Sequence, residues 1–418
     1  MHYFKYHRNE LYCENVRVAD ILKKTGTPAY IYSSKTFASH VRKLQKAFRR
    51  FNPLICYSMK ANSNLAVLKT MLREGAGLDI VSGGELYRAK CVECPPEKIV
   101  YAGVGKTAEE IAEALRYGIL FFNVESEPEL EMIDRVARDL RKLARVSLRI
   151  NPDVDPRTHH HIATGKKESK FGLDLETAEK IFRKRQRFSS VSFCAIHVHI
   201  GSQILFSDPF VEAFRKTLAF IDEIEKRGAK IEYLNLGGGL GVIYCDERPQ
   251  TAQEFAKKIA PLFAGRKLRL IFEPGRFIVA NGGILCARTL YVKQTPTKNF
   301  AIVDAAMNDL IRPSLYDAYH AVWPLEKKPQ GATAIYDVVG PVCESGDFFA
   351  KGRELQKMKA GDAVAIMTAG AYGFTMSSNY NARPRACEVL VHGSRWEIVR
   401  KREALEDLAA GETIPDFF

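Results

Sequence analysis

The stretch LICYSMKANSNLAVLKTMLREGAGLDIVS, residues 54–82, sets a pattern that the following two hundred residues repeat. Its two ends are short apolar runs typical of buried strands, and the segment between them has helical spacing of apolar residues and closes on a glycine. Parallel strands need a crossover of about this length, usually a helix. The strand-like runs in this alternation number eight: residues 54–60, 77–82, 98–103, 120–126, 145–151, 193–201, 233–239 and 269–275.

Eight strands separated by amphipathic helices predict an α/β fold, a (β/α)8 barrel of the TIM type, over residues 34–276. After Arg276 the helical rhythm weakens, and alternating apolar runs predict a mainly antiparallel β-domain over residues 277–418. We expect the N-terminal segment, residues 1–33, to pack with that β-domain through its strand-like run AYIYS.

Composition and charge argue against several classes of protein. Of 418 residues, 46% are hydrophobic and 27% are charged, and no run is apolar for long enough to span a membrane. The N-terminus has no signal-peptide core and the nine cysteines lack paired CxxC spacing, so we expect a cytoplasmic protein with reduced thiols. The net charge of +13 is dispersed, apart from short clusters such as RKRQR at 183–187. That dispersion argues against a nucleic-acid partner, whereas the positive field favours small anionic ligands.

Unusual residues follow the predicted strands, at the barrel end where active sites lie. Lys60 ends the first run, and an amine there can form a Schiff base with an aldehyde. LNLGGGLG, beginning at residue 234, lets backbone N–H groups approach a phosphate, and EPGR at 273–276 follows the eighth strand. Loops after strands 7 and 8 often bind phosphate in this fold. A strand-end lysine and a glycine-rich turn are each common, so the interpretation depends on their convergence.

Six motifs in order, YSMKAN, HVHIGS, GGGLG, EPGR, GPVCESGD and GAYG, resemble the fold-type III group of pyridoxal-phosphate enzymes, over residues 28 to 390 approximately. The resemblance implies that Lys60 holds pyridoxal 5'-phosphate as a Schiff base, with His199 stacked on the pyridine ring and Asp79 beside it. It also implies that Glu273 faces the pyridine nitrogen. The remaining cofactor contacts that it implies are Ser202, Gly239, Pro274, Gly275, Arg276 and Tyr372.

Glu273 favours one reaction over another. A carboxylate at the ring nitrogen favours the protonated pyridinium, which best accepts electrons from a carbanion. Alanine racemases of the same fold type place an arginine there, which limits electron withdrawal. The residue therefore favours a decarboxylase.

GPVCESGD, residues 340–347, adds a thiol and a carboxylate. A single cysteine is by default a small buried hydrophobe, but in the related decarboxylases this one, Cys343 here, enters the neighbouring subunit's site and protonates the carbanion. The resemblance thus implies an isologous homodimer with shared active sites.

The resemblance also implies a substrate. It assigns Glu344 to the distal amino group, whereas Arg276, Arg312 and Tyr316 offer donors for a carboxylate and Tyr372 closes the site. Two guanidinium groups suit a distal carboxylate, since they pair with it bidentately. The predicted reaction is decarboxylation of meso-2,6-diaminopimelate to L-lysine and CO2. Decarboxylation of ornithine, arginine or carboxynorspermidine stays an alternative. A non-catalytic pyridoxal-phosphate carrier is a third hypothesis, although such carriers lack the β-domain and the CESGD segment.

Three adjacent histidines occur in PRTHHHIATGKKESKFG, residues 156–172. Consecutive side chains diverge on a regular backbone and no other ligand has matching spacing, so we predict no metal site. The segment resembles the family's lid loop between strands five and six.

Overall fold

The computed structural model describes residues 2–156 and 170–417, so the three histidines and most of the predicted lid loop lie outside the described residues. The chain forms two compact units. One unit comprises Ala38–Ile243 and Glu247–Ile278, and the other comprises Met1–Phe37, Tyr244–Asp246 and Val279–Phe418. Within the described ranges, no helix has both the length and the apolar character that a membrane crossing requires.

The first unit contains a closed barrel of eight parallel strands, as predicted. Each strand pairs with the next, and the eighth pairs with the first through Ile271 opposite Leu54. The strands, called barrel strands 1 to 8 in chain order, are Leu54–Ser58, Gly77–Ile80, Ile99–Tyr101, Phe121–Val124, Ala144–Asn151, Val191–Val198, Tyr233–Asn235 and Arg269–Phe272. A two-residue strand, Leu173–Asp174, pairs with barrel strand 5.

Helices separate the barrel strands, and side-chain caps explain where several of them begin. Ser82 accepts the backbone N–H of Glu85, and Thr107 forms a reciprocal capping box with Glu110. Such caps satisfy N–H groups that have no partner within the helix. The helices that precede, separate and follow the strands are Ser34–Ala47, Leu65–Arg73, Gly83–Cys91, Ala108–Tyr117, Glu127–Asp139, Leu175–Arg183, Asp208–Lys226, Ala252–Ile259 and Arg276–Val279.

The second unit is built on a mainly antiparallel sheet that includes the N-terminal strand Ala29–Ser33, as predicted. That strand pairs antiparallel with Gly283–Gln294 and parallel with Cys387–His392. The other strands of this sheet are Asn299–Val303, Val322–Pro324, Thr333–Val339, Phe348–Gln356, Ala363–Ile366 and Arg395–Arg400. A small sheet of Phe4–His7, Glu10–Cys13 and Val16–Arg17, followed by the helix Val18–Thr25, packs on it, and a short helix spans Arg312–Tyr316.

A buried acid makes the stability of the second unit depend on pH. Asp309 is 1% exposed, and burial raises its pKa to about 7. The unfolded chain, with an ordinary aspartate pKa, loses this proton first, so stability falls as the pH rises from about 4 to about 7. The free energy of unfolding of Asp309→Asn, relative to that of wild type, should increase by roughly 3 kcal/mol from pH 5 to pH 8. Denaturant unfolding at the two pH values measures the gain. The exposed Asp416→Asn is the control, and an equal gain there would contradict the assignment.

Candidate active site

Lys60 and Asp79 lie at the C-terminal ends of barrel strands 1 and 2. Lys60 stands on a single 3-10 turn, Met59–Ala61, and its Nζ lies 3.8 Å from Asp79 Oδ2. The Ser58 hydroxyl donates to the same oxygen at 2.6 Å. Among the described residues Asp79 Oδ1 has no hydrogen-bond partner although it is buried. Burial and the Glu273 charge hold the pKa of Asp79 well above its usual range. An orphaned buried oxygen beside an amine fits a site for a polar ligand.

Glu273 is a buried carboxylate with three neighbouring nitrogen groups. Its Oε1 accepts from the amides of Asn123, at 3.0 Å, and Asn235, at 2.6 Å. Its Oε2 lies 3.1 Å from Nε2 of His197. Burial alone raises the pKa of Glu273, but the His197 imidazole and the Asn235 amide outweigh it, so the pKa lies below its usual range. The carboxylate is therefore ionised at neutral pH.

His199 follows barrel strand 6, and its ring is held by the loop after strand 7. The backbone N–H of Gly238 donates to His199 Nδ1 at 3.1 Å, so a neutral ring carries its proton on Nε2. Burial and the Arg149 charge lower the pKa of His199 well below its usual range. A neutral, fixed imidazole results, which suits stacking on an aromatic cation.

The glycines of the strand 7 loop allow close backbone approach. A Cβ on Gly238 would lie 2.2 Å from the Glu273 carbonyl oxygen, and one on Gly239, where φ is +109°, would lie 2.5 Å from the Gly201 oxygen. Any side chain there would push the loops after strands 6, 7 and 8 apart. The three loops therefore form a cradle lined with backbone groups, which is typical of phosphate sites.

Arg276 and Ser202 meet at this cradle. Arg276 is 6% exposed, and its Nε and Nη2 both donate to the Ser202 hydroxyl at 3.2 Å. A buried guanidinium beside a hydroxyl and a glycine loop makes this end of the barrel favourable for anionic groups.

Three predicted substrate or cofactor residues lie in the second unit. Arg312 is 5% exposed, and its guanidinium carbon lies 5.8 Å from the ring centre of Tyr316 and 5.1 Å from that of Tyr244. Tyr372 has a φ of +55°, a left-handed conformation that is uncommon for a tyrosine. Backbone strain of this kind often occurs at functional sites.

The GPVCESGD loop, also in the second unit, presents Cys343 and Glu344 to solvent. The Cys343 backbone N–H donates to Asn381 Oδ1 at 2.8 Å, and the Tyr380 hydroxyl donates to Glu344 Oε2 at 2.9 Å. Beneath them, the buried Asp347 carboxylate accepts two backbone N–H groups, each at 2.7 Å. The loop is thus a fixed turn with an exposed thiol and carboxylate.

The structure brings the predicted site residues of the barrel together at the carboxyl ends of the strands. The contacting or adjacent ones are Lys60, Asp79, His199, Ser202, Gly239, Glu273, Pro274, Gly275 and Arg276. In the second unit Arg312 contacts Tyr316, and Cys343 and Glu344 share their loop.

Sequence reasoning missed the side chains that hold these residues in place. Asn123 and Asn235 are polar residues inside apolar strand runs, and His197 lies two residues before His199 on the same strand face. These positions were features of the sequence from which the three residues could have been predicted to lie at the site. Asp347 gave no comparable signal, because its role depends on a loop conformation.

These residues fit pyridoxal phosphate. Lys60 offers the amine for a covalent link, Asp79 Oδ1 is an orphaned buried oxygen, and Glu273 supplies a fixed negative charge. The glycine cradle, with Arg276 beside it, matches a phosphate. Barrel and site together define a pyridoxal-phosphate-dependent decarboxylase.

Comparison with known proteins supports the same class. The family described as "Pyridoxal-dependent decarboxylase, pyridoxal binding domain" matches residues 34–280. The chain is 47% identical over 416 residues to the diaminopimelate decarboxylase of Vibrio cholerae serotype O1, covering 99% of each. The crystal structure of diaminopimelate decarboxylase from M. jannaschii has a TM-score of 0.94 at 37% identity and covers 99% of this chain and 98% of that one. The Helicobacter pylori enzyme complexed with L-lysine has a TM-score of 0.90 at 41% identity, covering 94% and 98%. The chain belongs to the diaminopimelate decarboxylase family.

Proposed function

We propose that this chain decarboxylates meso-2,6-diaminopimelate to L-lysine and CO2. The observation that carries the proposal is the Glu273 carboxylate, kept ionised in a buried site by two amides and an imidazole. Glu273 would face the pyridine nitrogen of the bound cofactor, where a fixed negative charge would favour the protonated ring. Pyridoxal phosphate, when bound, then supplies the electron sink for the electron pair of the breaking carbon–carboxylate bond.

The barrel residues have distinct roles in this proposal. Lys60 would hold the cofactor through its Nζ amine, beside Asp79. His199, neutral and fixed by Gly238, would stack on the ring of the bound cofactor. The phosphate would be held by Ser202, Gly239 and the backbone of Pro274, Gly275 and Arg276 in the cradle described above, and Tyr372 would close the site.

The substrate's distal end needs groups of both charges. Arg276, Arg312 and Tyr316 bind the distal carboxylate, since guanidinium groups pair with carboxylates bidentately. Glu344 pairs with the distal ammonium, and Cys343 delivers one proton to the substrate carbon after CO2 leaves. This set separates diaminopimelate from ornithine and lysine, because those substrates have no distal carboxylate.

The test uses purified protein loaded with pyridoxal phosphate. We expect visible cofactor absorbance, and release of CO2 and lysine in equal amounts from meso-diaminopimelate. Ornithine, arginine and carboxynorspermidine should give little CO2 at the same concentration. A coloured protein that prefers one of these three would overturn the substrate, and a protein that stays colourless would overturn the cofactor site.

We further propose a cytoplasmic homodimer in which each active site receives Cys343 and Glu344 from the partner subunit. The exposure of both side chains on a fixed loop supports this arrangement. An exposed proton donor becomes useful when another surface covers it and excludes water from the reaction.

Mixing two inactive variants tests the shared site. Lys60→Ala and Cys343→Ala subunits, unfolded and refolded together, should form mixed dimers in which one of the two sites has both groups intact. Random pairing then restores about a quarter of wild-type activity. The measurement is CO2 release from the mixture against each variant refolded alone. If the mixture stays as inactive as the separate variants, each site takes both groups from one subunit.

A further inference from the structure

We propose that His320 is a positioning residue that orients Arg312 for the distal carboxylate of the substrate. The inference rests on the proposed function and deepens it, because it explains how a single guanidinium in the β-domain is aimed. His320 belongs to none of the motifs quoted above, and it is completely buried.

Two hydrogen bonds identify the form of the His320 ring. Its Nδ1 lies 2.8 Å from the carbonyl oxygen of Met367, and Nε of Arg312 donates to its Nε2 at 3.4 Å. A carbonyl oxygen only accepts, so Nδ1 must carry a proton. The guanidinium Nε–H only donates, so Nε2 must offer its lone pair. Both partners therefore require the neutral ring with the proton on Nδ1.

This bond fixes the plane of the guanidinium. The Nε–H group lies in the plane of the Arg312 guanidinium, so a partner at Nε sets the direction of the opposite edge. Tyr244 adds a second constraint: its ring meets the His320 ring edge-on at 5.4 Å, and the Arg312 guanidinium lies 5.1 Å from its centre. Bidentate pairing with a carboxylate requires a fixed orientation of this kind.

Met367 anchors the arrangement to the sheet. It directly follows the strand Ala363–Ile366, and its own backbone N–H donates to the carbonyl of Ala321 at 2.8 Å. A series of hydrogen bonds thus connects the strand, through Met367 and His320, to Arg312. Loss of the His320 acceptor should weaken binding of ligands with a distal carboxylate and leave the chemistry at the other end of the substrate unchanged.

A matched pair of variants separates the two hydrogen bonds. In His320→Gln the side-chain oxygen can reach the Nε2 position and accept from Arg312. In His320→Asn the side-chain amide can reach the Nδ1 position and donate to Met367, but the acceptor at the Nε2 position, to which Arg312 Nε donates, is lost. Both variants are made in the full chain loaded with pyridoxal phosphate, and kcat and KM for meso-diaminopimelate are measured.

Two competitors report on the distal carboxylate directly. Lysine bound in the orientation of the reaction product has its single carboxylate at the distal end, and cadaverine has the same two amines without any carboxylate. For His320→Asn we expect KM and the lysine inhibition constant to rise roughly tenfold, with kcat and cadaverine inhibition within about twofold of wild type. For His320→Gln, KM and the lysine inhibition constant should both lie closer to the wild-type values. If His320→Asn does not fold, His320→Leu replaces it.

The outcomes separate this inference from the proposed function. If wild type does not decarboxylate meso-diaminopimelate, the proposed function fails. If wild type is active but inhibition by lysine and inhibition by cadaverine weaken equally in the variants, His320 has only a structural role and the inference fails. It also fails if His320→Gln is as impaired as His320→Asn, or if neither variant changes lysine inhibition.

Discussion

Replacing Lys60 with alanine should reduce decarboxylation by at least about 10³-fold. The reason is that, in the proposed function, the Lys60 amine is the group that would link the cofactor to the protein. Asp79 cannot replace it, since a carboxyl group is no nucleophile toward an aldehyde. Because the Lys60 side chain is 42% exposed, the substitution leaves no cavity, and the variant should fold.

The measurements are CO2 release, the visible absorbance of bound cofactor, and the site of cofactor attachment after borohydride reduction and peptide mass analysis. Wild type should be modified at Lys60. Lys69→Ala is the matched control, because Lys69 is 47% exposed on the next helix and contacts Glu93 at 3.1 Å. A Lys60→Ala enzyme that retains a tenth of wild-type turnover would be incompatible with the role assigned to this lysine.

Lys60 also shows which part of the site the sequence could predict. It ends an apolar run, and such runs are recognisable because strands of a parallel barrel are buried on both faces. Amphipathic spacing located the intervening helices for a similar reason, since each helix buries one face. Once the eight strands are placed, the barrel fold itself puts the residues that follow them at one end.

The Glu273 network was not predictable in the same way. Asn123 contacts Glu273 across 150 positions of sequence, from barrel strand 4 to the end of strand 8. These two strands are not neighbours in the sheet, so the contact exists only because the barrel closes. The asparagine was visible as a polar residue in an apolar run, but its partner depended on the three-dimensional course of eight strands.

His320 illustrates a different limit. It is only eight residues from Arg312, yet no helical spacing connects them, because the helix ends at Tyr316 and Asp317 takes a left-handed φ of +48°. That turn returns the chain toward the guanidinium. The spacing of residues along the sequence does not predict such a reversal of chain direction.

Glu273→Gln should lower kcat by about 10²- to 10³-fold with a much smaller change in KM, the range seen when one preorganised electrostatic group is removed from an active site. The glutamine keeps the shape of the side chain and its oxygen can still accept from Asn123 or Asn235, so these amide contacts can persist. What it removes is the negative charge. If Glu273 faces the pyridine nitrogen as proposed, that nitrogen would hold its proton less well without the charge, and the cofactor would be a weaker electron sink.

The absorbance of the bound cofactor and its pH dependence report on the ring nitrogen independently of turnover. The pKa of Glu273 lies below its usual range, so wild type should keep this carboxylate ionised throughout the neutral range, and kcat should show no titration from it there. In Glu273→Gln we expect altered cofactor absorbance together with the loss of kcat.

Asp134→Asn provides the matched control for removing a buried charge from the barrel. Asp134 is 5% exposed, and its Oδ1 accepts the backbone N–H of Ser190, which directly precedes barrel strand 6 and so lies at the opposite end of the barrel. This variant should lose stability but keep kcat and cofactor absorbance. If Glu273→Gln instead raised KM strongly and left kcat and absorbance unchanged, Glu273 would contribute to substrate binding alone. The charge at the ring nitrogen would then have to come from another group.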